Sequence, residues 1–112
     1  MTLYQILFLL LTIGFEVLGT VSLKLSQGFT KLIPSALVVV GYGLSFYLLS
    51  LLLKQHVSIG IIYAVWSGLG TVAIVLIGVW LWDEKLTLPA IIGIALVIIG
   101  VVLINLTTEG AH

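Results

Sequence analysis

The sequence predicts an all-α membrane protein, a bundle of four transmembrane helices. Only 7% of its 112 residues are charged and 62% are apolar, whereas soluble domains carry about 25% charged residues. Four long apolar segments each approach or exceed about 20 residues, the helix length that crosses the hydrocarbon core of a bilayer. None of them alternates polar and apolar residues as the strands of a membrane barrel do. The chain is therefore expected to lie in the lipid bilayer as helices.

Short polar connections separate the predicted helices, so consecutive helices are expected to be antiparallel neighbours. Pro34 and Pro89 lie at the starts of the second and fourth helices, where a missing backbone amide is tolerated. Trp80 and Trp82 end the third helix, where indole rings favour the membrane interface. The helices make one predicted transmembrane domain over residues 1–112, with no length left for a soluble domain. They cover roughly residues 3–23, 33–53, 57–82 and 88–106.

The composition also excludes several classes of function. The net charge is zero and there is no basic patch, so a nucleic acid partner is not expected. There are no cysteines, which rules out disulfides and thiolate metal sites. The sequence holds no nucleophile–base pair at membrane depth, no metal-ligand cluster and no phosphate-binding loop, so it predicts neither an enzyme nor a cofactor. Three lysines in the first and third connections against one in the second set the membrane orientation only weakly.

Glu16 is the residue that points most directly to a function. It falls near the middle of the first predicted helix, where a charged side chain costs several kcal/mol and therefore faces a protein interior or a cavity. Thr12 and Thr20 share its helix face at spacings of four residues, and Gly19 widens the space beside that face. A carboxyl group at this depth can hold a proton, or release it and bind a cation. The alternative is a permanently protonated side chain that hydrogen-bonds between helices.

Aromatic side chains on the second and third helices favour a cationic ligand. Tyr42, Ser45 and Phe46 share one face of the second helix, and Tyr63 adjoins Trp66 on the third. Aromatic faces attract organic cations, most strongly when both are desolvated. The alternative is that these rings only pack against lipid or other helices. With Glu16, they predict a site for lipophilic cations and protons.

Glycines indicate where the helices bend or associate. Gly68 and Gly70 lie halfway along the third helix, where they suit either a hinge or close packing. Gly93 and Gly100 lie seven residues apart on one face of the fourth helix, and small residues on one face let membrane helices associate. Because four helices with one carboxylate give a solute little lining, we expect at least a dimer.

Five segments together give the chain a resemblance to the small multidrug resistance family of four-helix bacterial transporters. The resemblance implies an antiparallel dimer in the bacterial inner membrane, in which protons and a cationic substrate alternate on Glu16. It implies that Tyr42, Tyr63 and Trp66 line the substrate site and that Gly68 and Gly70 form a kink. The segments are EVLGT at 16–20, KLSQGFT at 24–30, PS at 34–35, IYAVWSGLG at 62–70 and LPAIIG at 88–93. The dimerisation motif of the fourth helix corresponds to Gly93, Leu96, Gly100 and Val101.

Within that family the chain is more similar to the branch that exports bulky quaternary ammonium and aromatic cations. The branch that exports guanidinium tends to have Trp soon after the glutamate, where this chain has Gly19 and Thr20. One departure is Ser58, where the family often has Pro, and it leaves the geometry at the start of the third helix open. The predicted function is proton-coupled export of lipophilic cations by alternating access. The alternatives are a guanidinium exporter, one subunit of a heterodimeric pump with a paralogous partner, and a membrane scaffold without transport.

Overall fold

A computed structural model of the chain describes residues 2–109, so Met1 and residues 110–112 of the predicted domain lie outside the described part. The described residues form four α-helices and no strand. Each helix is long and apolar enough to cross a membrane, which confirms the prediction of an all-α membrane protein with four transmembrane helices. The helices are α1 (Leu3–Leu25), α2 (Leu32–Leu53), α3 (Ile59–Trp82) and α4 (Leu88–Glu109).

The ends of the helices follow local signals in the sequence. Pro34 and Pro89 both fall in first turns, since α2 begins at Leu32 and α4 at Leu88. The third helix begins two residues later than the predicted position 57, because Ser58 is its N-cap and accepts a 3.5 Å hydrogen bond from the backbone N–H of Ile61. Ser58 therefore supplies a helix start by side-chain capping where the family often has Pro.

The helices pack in two consecutive pairs, each a compact unit. The α1–α2 hairpin comprises Thr2–Val57 and the α3–α4 hairpin begins at Ser58. The single four-helix domain stays a prediction. The buried apolar side chains are Leu9, Ile13, Val38, Leu52, Ile62 and Val65.

Backbone contact and a buried hydrogen bond hold the α1–α2 hairpin together. A Cβ atom built on Gly41 would lie 2.8 Å from the Gly19 backbone nitrogen and 2.9 Å from the Phe15 carbonyl oxygen. The two backbones thus touch where the helices cross, which only glycine at position 41 permits. One turn further along α2, the Ser45 hydroxyl donates a 2.8 Å hydrogen bond to the carbonyl oxygen of Thr12. Register and rotation of α2 against α1 are fixed by these contacts.

The turn between α1 and α2 has an uncommon backbone. Gln27, Gly28 and Phe29 all have positive φ angles, of 48°, 74° and 63°. Ser26 is fully buried, and its hydroxyl donates to the Leu23 carbonyl at 2.8 Å and accepts from the Phe29 N–H at 3.1 Å. These hydrogen bonds hold two non-glycine residues in the left-handed region, which costs about 1–3 kcal/mol each in an unsupported backbone. The turn therefore sets one specific direction for the returning helix.

Side-chain contacts dominate what is described of the α3–α4 hairpin. A Cβ atom built on Gly68 would lie 3.0 Å from Val101 Cγ2 and 3.2 Å from Val97 Cγ1. The helix α3 continues without a break through Gly68 and Gly70, and Gly70 is buried. In α4, no residue between Leu88 and Leu106 is buried.

Candidate functional site

The carboxyl group of Glu16 lies at membrane depth with a partner on its own helix. Glu16 is half-buried in α1, and the Thr20 hydroxyl donates a 3.1 Å hydrogen bond to its Oε1 atom. This contact places the two side chains on one face of the helix, as the spacing of four residues predicts. Glu16 is the one acidic residue within the four membrane-crossing segments. The site therefore has a single ionisable carboxylate supported by a neighbouring hydroxyl.

A tyrosine from α2 completes this group. The Tyr42 hydroxyl lies 2.7 Å from Thr20 Oγ1, so a continuous series of hydrogen bonds, here called the hydroxyl bridge, joins Tyr42, Thr20 and Glu16. Gly19 makes this approach possible, because a Cβ atom there would lie 2.9 Å from Cδ1 of the Tyr42 ring. Gly19 was predicted to leave space beside the carboxylate face, and the aromatic ring of Tyr42 from the second helix occupies that space.

Phe46 extends the aromatic surface beside the hydroxyl bridge. The ring centroids of Tyr42 and Phe46 are 6.4 Å apart and their planes meet at 30°. Phe46 is 54% exposed and Tyr42 is half-buried. The α1–α2 hairpin thus holds both components that an organic cation needs, the negative charge of a carboxylate and the π-electron density of aromatic rings.

Ser45 and Thr12 lie in the helix contact beside this group. Ser45 is fully buried and its hydroxyl is engaged with the Thr12 carbonyl. Thr12 is also fully buried, and its hydroxyl donates a 3.0 Å hydrogen bond to the Phe8 carbonyl within α1. Both hydroxyls therefore have backbone partners. Ser45 lies in the contact between α1 and α2 and not on the exposed surface of the site.

A second aromatic pair lies on α3. The ring centroids of Tyr63 and Trp66 are 5.7 Å apart with an interplanar angle of 69°, an edge-to-face contact. Tyr63 is 61% exposed and Trp66 is half-buried. The predicted site residues thus fall into two groups, one in the α1–α2 hairpin around Glu16 and one on α3.

The predicted dimerisation residues are divided between two environments. A Cβ atom built on Gly93 or Gly100 would have nothing within 4 Å, and Leu96 is 63% exposed. Val101, in contrast, directs a methyl group at Gly68 of its own hairpin. Gly93, Leu96 and Gly100 therefore lie on a face of α4 that is open.

Sequence reasoning missed Gly41 and the pairing of Gln5 with Gln55. The Gln5 side chain donates a 2.9 Å hydrogen bond from Nε2 to Oε1 of Gln55, which joins the start of α1 to the connection that follows α2. Both contacts could have been predicted from the distance in sequence between each residue and the turn. In an antiparallel hairpin, residues equally far from the turn come together, as Gly19 and Gly41 do. Among the described residues, no group of three or more His, Cys, Asp or Glu side chains could hold a metal ion.

Comparison with known proteins gives a consistent result over almost the whole chain. The family model described as Small Multidrug Resistance protein matches residues 4–97. The quaternary ammonium compound-resistance protein QacE of Escherichia coli is 49% identical over 105 residues, which are 94% of each chain. QacF of Klebsiella aerogenes, also a quaternary ammonium compound-resistance protein, is 48% identical over 107 residues, 95% of this chain and 96% of QacF. The multidrug resistance protein EbrA of Bacillus subtilis is 50% identical over 99 residues, 88% of this chain and 93% of EbrA.

Proposed function

This chain belongs to the Small Multidrug Resistance family, and on that premise we propose that it exports lipophilic, quaternary ammonium and aromatic cations in exchange for protons. Membership of the family, together with four membrane-crossing helices, makes it a multi-pass protein of the bacterial inner membrane and a drug efflux transporter.

The observation that carries the proposal is the single carboxylate at membrane depth. Intramembrane acids are costly and mark ion or proton pathways. Glu16 is half-buried and accepts a 3.1 Å hydrogen bond from the Thr20 hydroxyl. It can therefore be ionised when a cation is bound and protonated when no cation is bound. Because a proton and a cation need the same negative charge, binding of one excludes the other. Competition for one group couples the export of a cation to the entry of protons when the site changes its access only with one of them bound.

The aromatic residues are proposed to select the class of cation. Tyr42 is linked to the carboxylate through Thr20 and pairs with Phe46, and Tyr63 and Trp66 form the second pair on α3. A desolvated cation over an aromatic face gains about 2 kcal/mol or more. Bulky lipophilic cations gain from several rings at once, and their weak hydration lowers the cost of entering the membrane. We therefore propose that the site prefers large organic cations to guanidinium.

The open face of α4 is proposed to bind a second copy of the chain. No residue of α4 between Leu88 and Leu106 is buried, and the space beside Gly93 and Gly100 is open. Membrane helices associate through such small residues. In the proposed antiparallel homodimer two Glu16 carboxylates serve one substrate, and α3 flexes at Gly68 and Gly70 as the site opens to each side of the membrane in turn.

The test is substrate-driven proton current in proteoliposomes that contain only this protein. We expect current with tetrapropylammonium, and we expect Glu16→Gln to abolish it because an amide cannot exchange a proton. Glu84→Gln, the same change at an exposed acid after α3, is the matched control and should retain the current. Proton-driven export that survives Glu16→Gln would overturn the mechanism.

The same preparation distinguishes the alternatives. Current with guanidinium alone would make the protein a guanidinium exporter, and no current with either cation would indicate a missing paralogous subunit or a scaffold role. Mixing equal amounts of wild type and Glu16→Gln tests the dimer. If both carboxylates are needed, about one quarter of the dimers stay active, whereas independent protomers would keep about one half.

A further inference from the structure

Thr20 stands between the proposed exchange group and a residue of another helix. Its hydroxyl donates to Glu16 Oε1 at 3.1 Å and lies 2.7 Å from the Tyr42 hydroxyl. A threonine hydroxyl has one proton and two acceptor sites. Since Thr20 gives its only proton to Glu16, the shorter hydrogen bond must be donated by Tyr42. With Glu16 ionised, the hydroxyl bridge thus has one direction, from Tyr42 through Thr20 to the carboxylate.

We propose that Thr20 is a positioning residue that couples the orientation of the Tyr42 hydroxyl to the protonation state of Glu16. When Glu16 gains a proton, the hydrogen bonds of the hydroxyl bridge reverse their direction. The inference rests on the proposed function only in taking Glu16 as the group that gains and loses a proton. When Glu16 is protonated, its own O–H needs an acceptor, and Thr20 Oγ1 already lies within hydrogen-bond distance. Thr20 then donates to the Tyr42 oxygen. Each hydroxyl keeps its own proton and only rotates, so the one proton gained is that on Glu16.

The reversal changes what Tyr42 presents to a cation. With Glu16 ionised, the Tyr42 proton is directed at Thr20, and the lone pairs of its oxygen and its ring face are available to a positive ligand. With Glu16 protonated, the Tyr42 oxygen accepts from Thr20 and its O–H turns outward, where its positive end opposes a cation. Protonation therefore weakens cation binding twice, once by removing the charge of Glu16 and once by turning the dipole of Tyr42.

The charged residues of the α1–α2 hairpin other than Glu16 lie at or near the ends of its helices. On α1 the nearest other ionisable group is Lys24, two turns beyond Glu16 near the end of the helix. On α2 the titratable side chains are Tyr42, which reaches Thr20, and Tyr47, which is 60% exposed, while Lys31 and Lys54 cap the two ends of that helix. The state of Glu16 is thus passed to α2 through Thr20.

The geometry of the bridge is set by contacts that do not move when hydroxyls rotate. The backbone contact of Gly41 with Gly19 and the buried hydrogen bond from Ser45 to Thr12 fix α2 against α1. Gly19 lets the Tyr42 ring lie close enough for its hydroxyl to reach Thr20. Rotation of two hydroxyl groups can therefore carry the signal without a shift of either helix.

The experiment measures the affinity for tetraphenylphosphonium in lipid nanodiscs, well above and well below the midpoint of the wild-type pH dependence. Thr20→Val keeps the shape of the side chain and removes the hydroxyl. We expect the ratio of the two affinities to fall by about tenfold, the change given by one hydrogen bond to a charged group. Thr20→Ser should keep the ratio. Tyr42→Phe should lower the affinity ratio as much as Thr20→Val does. The double variant should lower the ratio no further, because each substitution interrupts the same hydroxyl bridge.

Thr12→Val is the matched control. Thr12 lies on the same helix face two turns before Thr20, and its hydroxyl bonds only to the Phe8 carbonyl among the described contacts, so its pH ratio should equal that of the wild type. A second readout does not depend on binding. The ¹³C shift of Tyr42 Cζ should follow the titration of Glu16 in the wild type and in Thr20→Ser, but not in Thr20→Val.

The outcomes separate this inference from the function on which it rests. A wild-type affinity that depends on pH, with the same dependence in Thr20→Val, would overturn the role of Thr20 and leave the exchange mechanism intact. Compression of similar size in Thr12→Val would also overturn it, since the effect would then be one of packing. A wild-type affinity that does not depend on pH would overturn the proposed exchange and this inference with it.

Discussion

The two hairpins use glycine at their helix contacts in different ways. In the α1–α2 hairpin, Gly41 lies against backbone atoms of Gly19 and Phe15, and a buried hydrogen bond adds to the contact. In the α3–α4 hairpin, Gly68 lies against the methyl groups of Val97 and Val101. Backbone atoms cannot move aside, whereas methyl groups can turn. The first contact therefore specifies one register, and the second permits small adjustments.

This difference matches the work that each hairpin is proposed to do. The hydroxyl bridge needs oxygen atoms held within hydrogen-bond distance across two helices, which the rigid contact of the α1–α2 hairpin supplies. Lipid gives helices no hydrophobic reason to associate, so close packing and hydrogen bonds must specify the pairing. The α3–α4 hairpin, with its open α4 face, is the one suited to flexing and to binding a second copy.

The largest effect is expected from Gly41→Ala. Its methyl group would lie within 3 Å of the α1 backbone, so the two helices must separate, which costs about 1–3 kcal/mol. Separation also opens the hydroxyl bridge, and cation binding should fall with thermal stability. Gly43→Ala is the control on the same helix, because a Cβ atom there has nothing within 4 Å. Equal stability of the two variants would show that the backbone contact does not hold this hairpin.

An intermediate effect is expected from Gly100→Leu. The position is open in the protomer, so the α3–α4 hairpin should fold as before while the added side chain blocks the proposed α4 interface. The dimer fraction, measured by single-molecule photobleaching in bilayers, should drop. Gly43→Leu adds the same side chain at an open position of α2 and should leave the dimer fraction unchanged. A wild-type dimer fraction in Gly100→Leu would place the interface elsewhere.

The smallest effect on stability is expected from Gly68→Ala. The methyl groups of Val97 and Val101 can turn aside, and alanine favours helix over glycine by up to about 1 kcal/mol, so the two effects nearly cancel. If α3 flexes here during transport, turnover should fall while equilibrium binding of the cation stays the same. Gly60→Ala, nearer the start of the same helix, should change neither. Unchanged turnover in Gly68→Ala would leave this glycine a packing role only.

The sequence by itself determined the class of fold and the central residue of the candidate site. Four apolar segments of sufficient length give four helices whatever the rest of the structure does, because an unpaired backbone in lipid is too costly. Glu16 and Thr20 meet because four residues are about one helical turn. Both are local properties, set by composition and by the period of the helix.

Only the tertiary structure decided which residues of α2 meet that face. Tyr42 reaches Thr20, and Ser45, predicted beside it at the cation site, is turned into the contact with Thr12. These pairings depend on the rotation and register of α2 against α1. They are set by the left-handed turn of residues 27–29 and by the backbone contact at Gly41. A helical period places residues around one axis, but it carries no information on the angle at which a second axis crosses it.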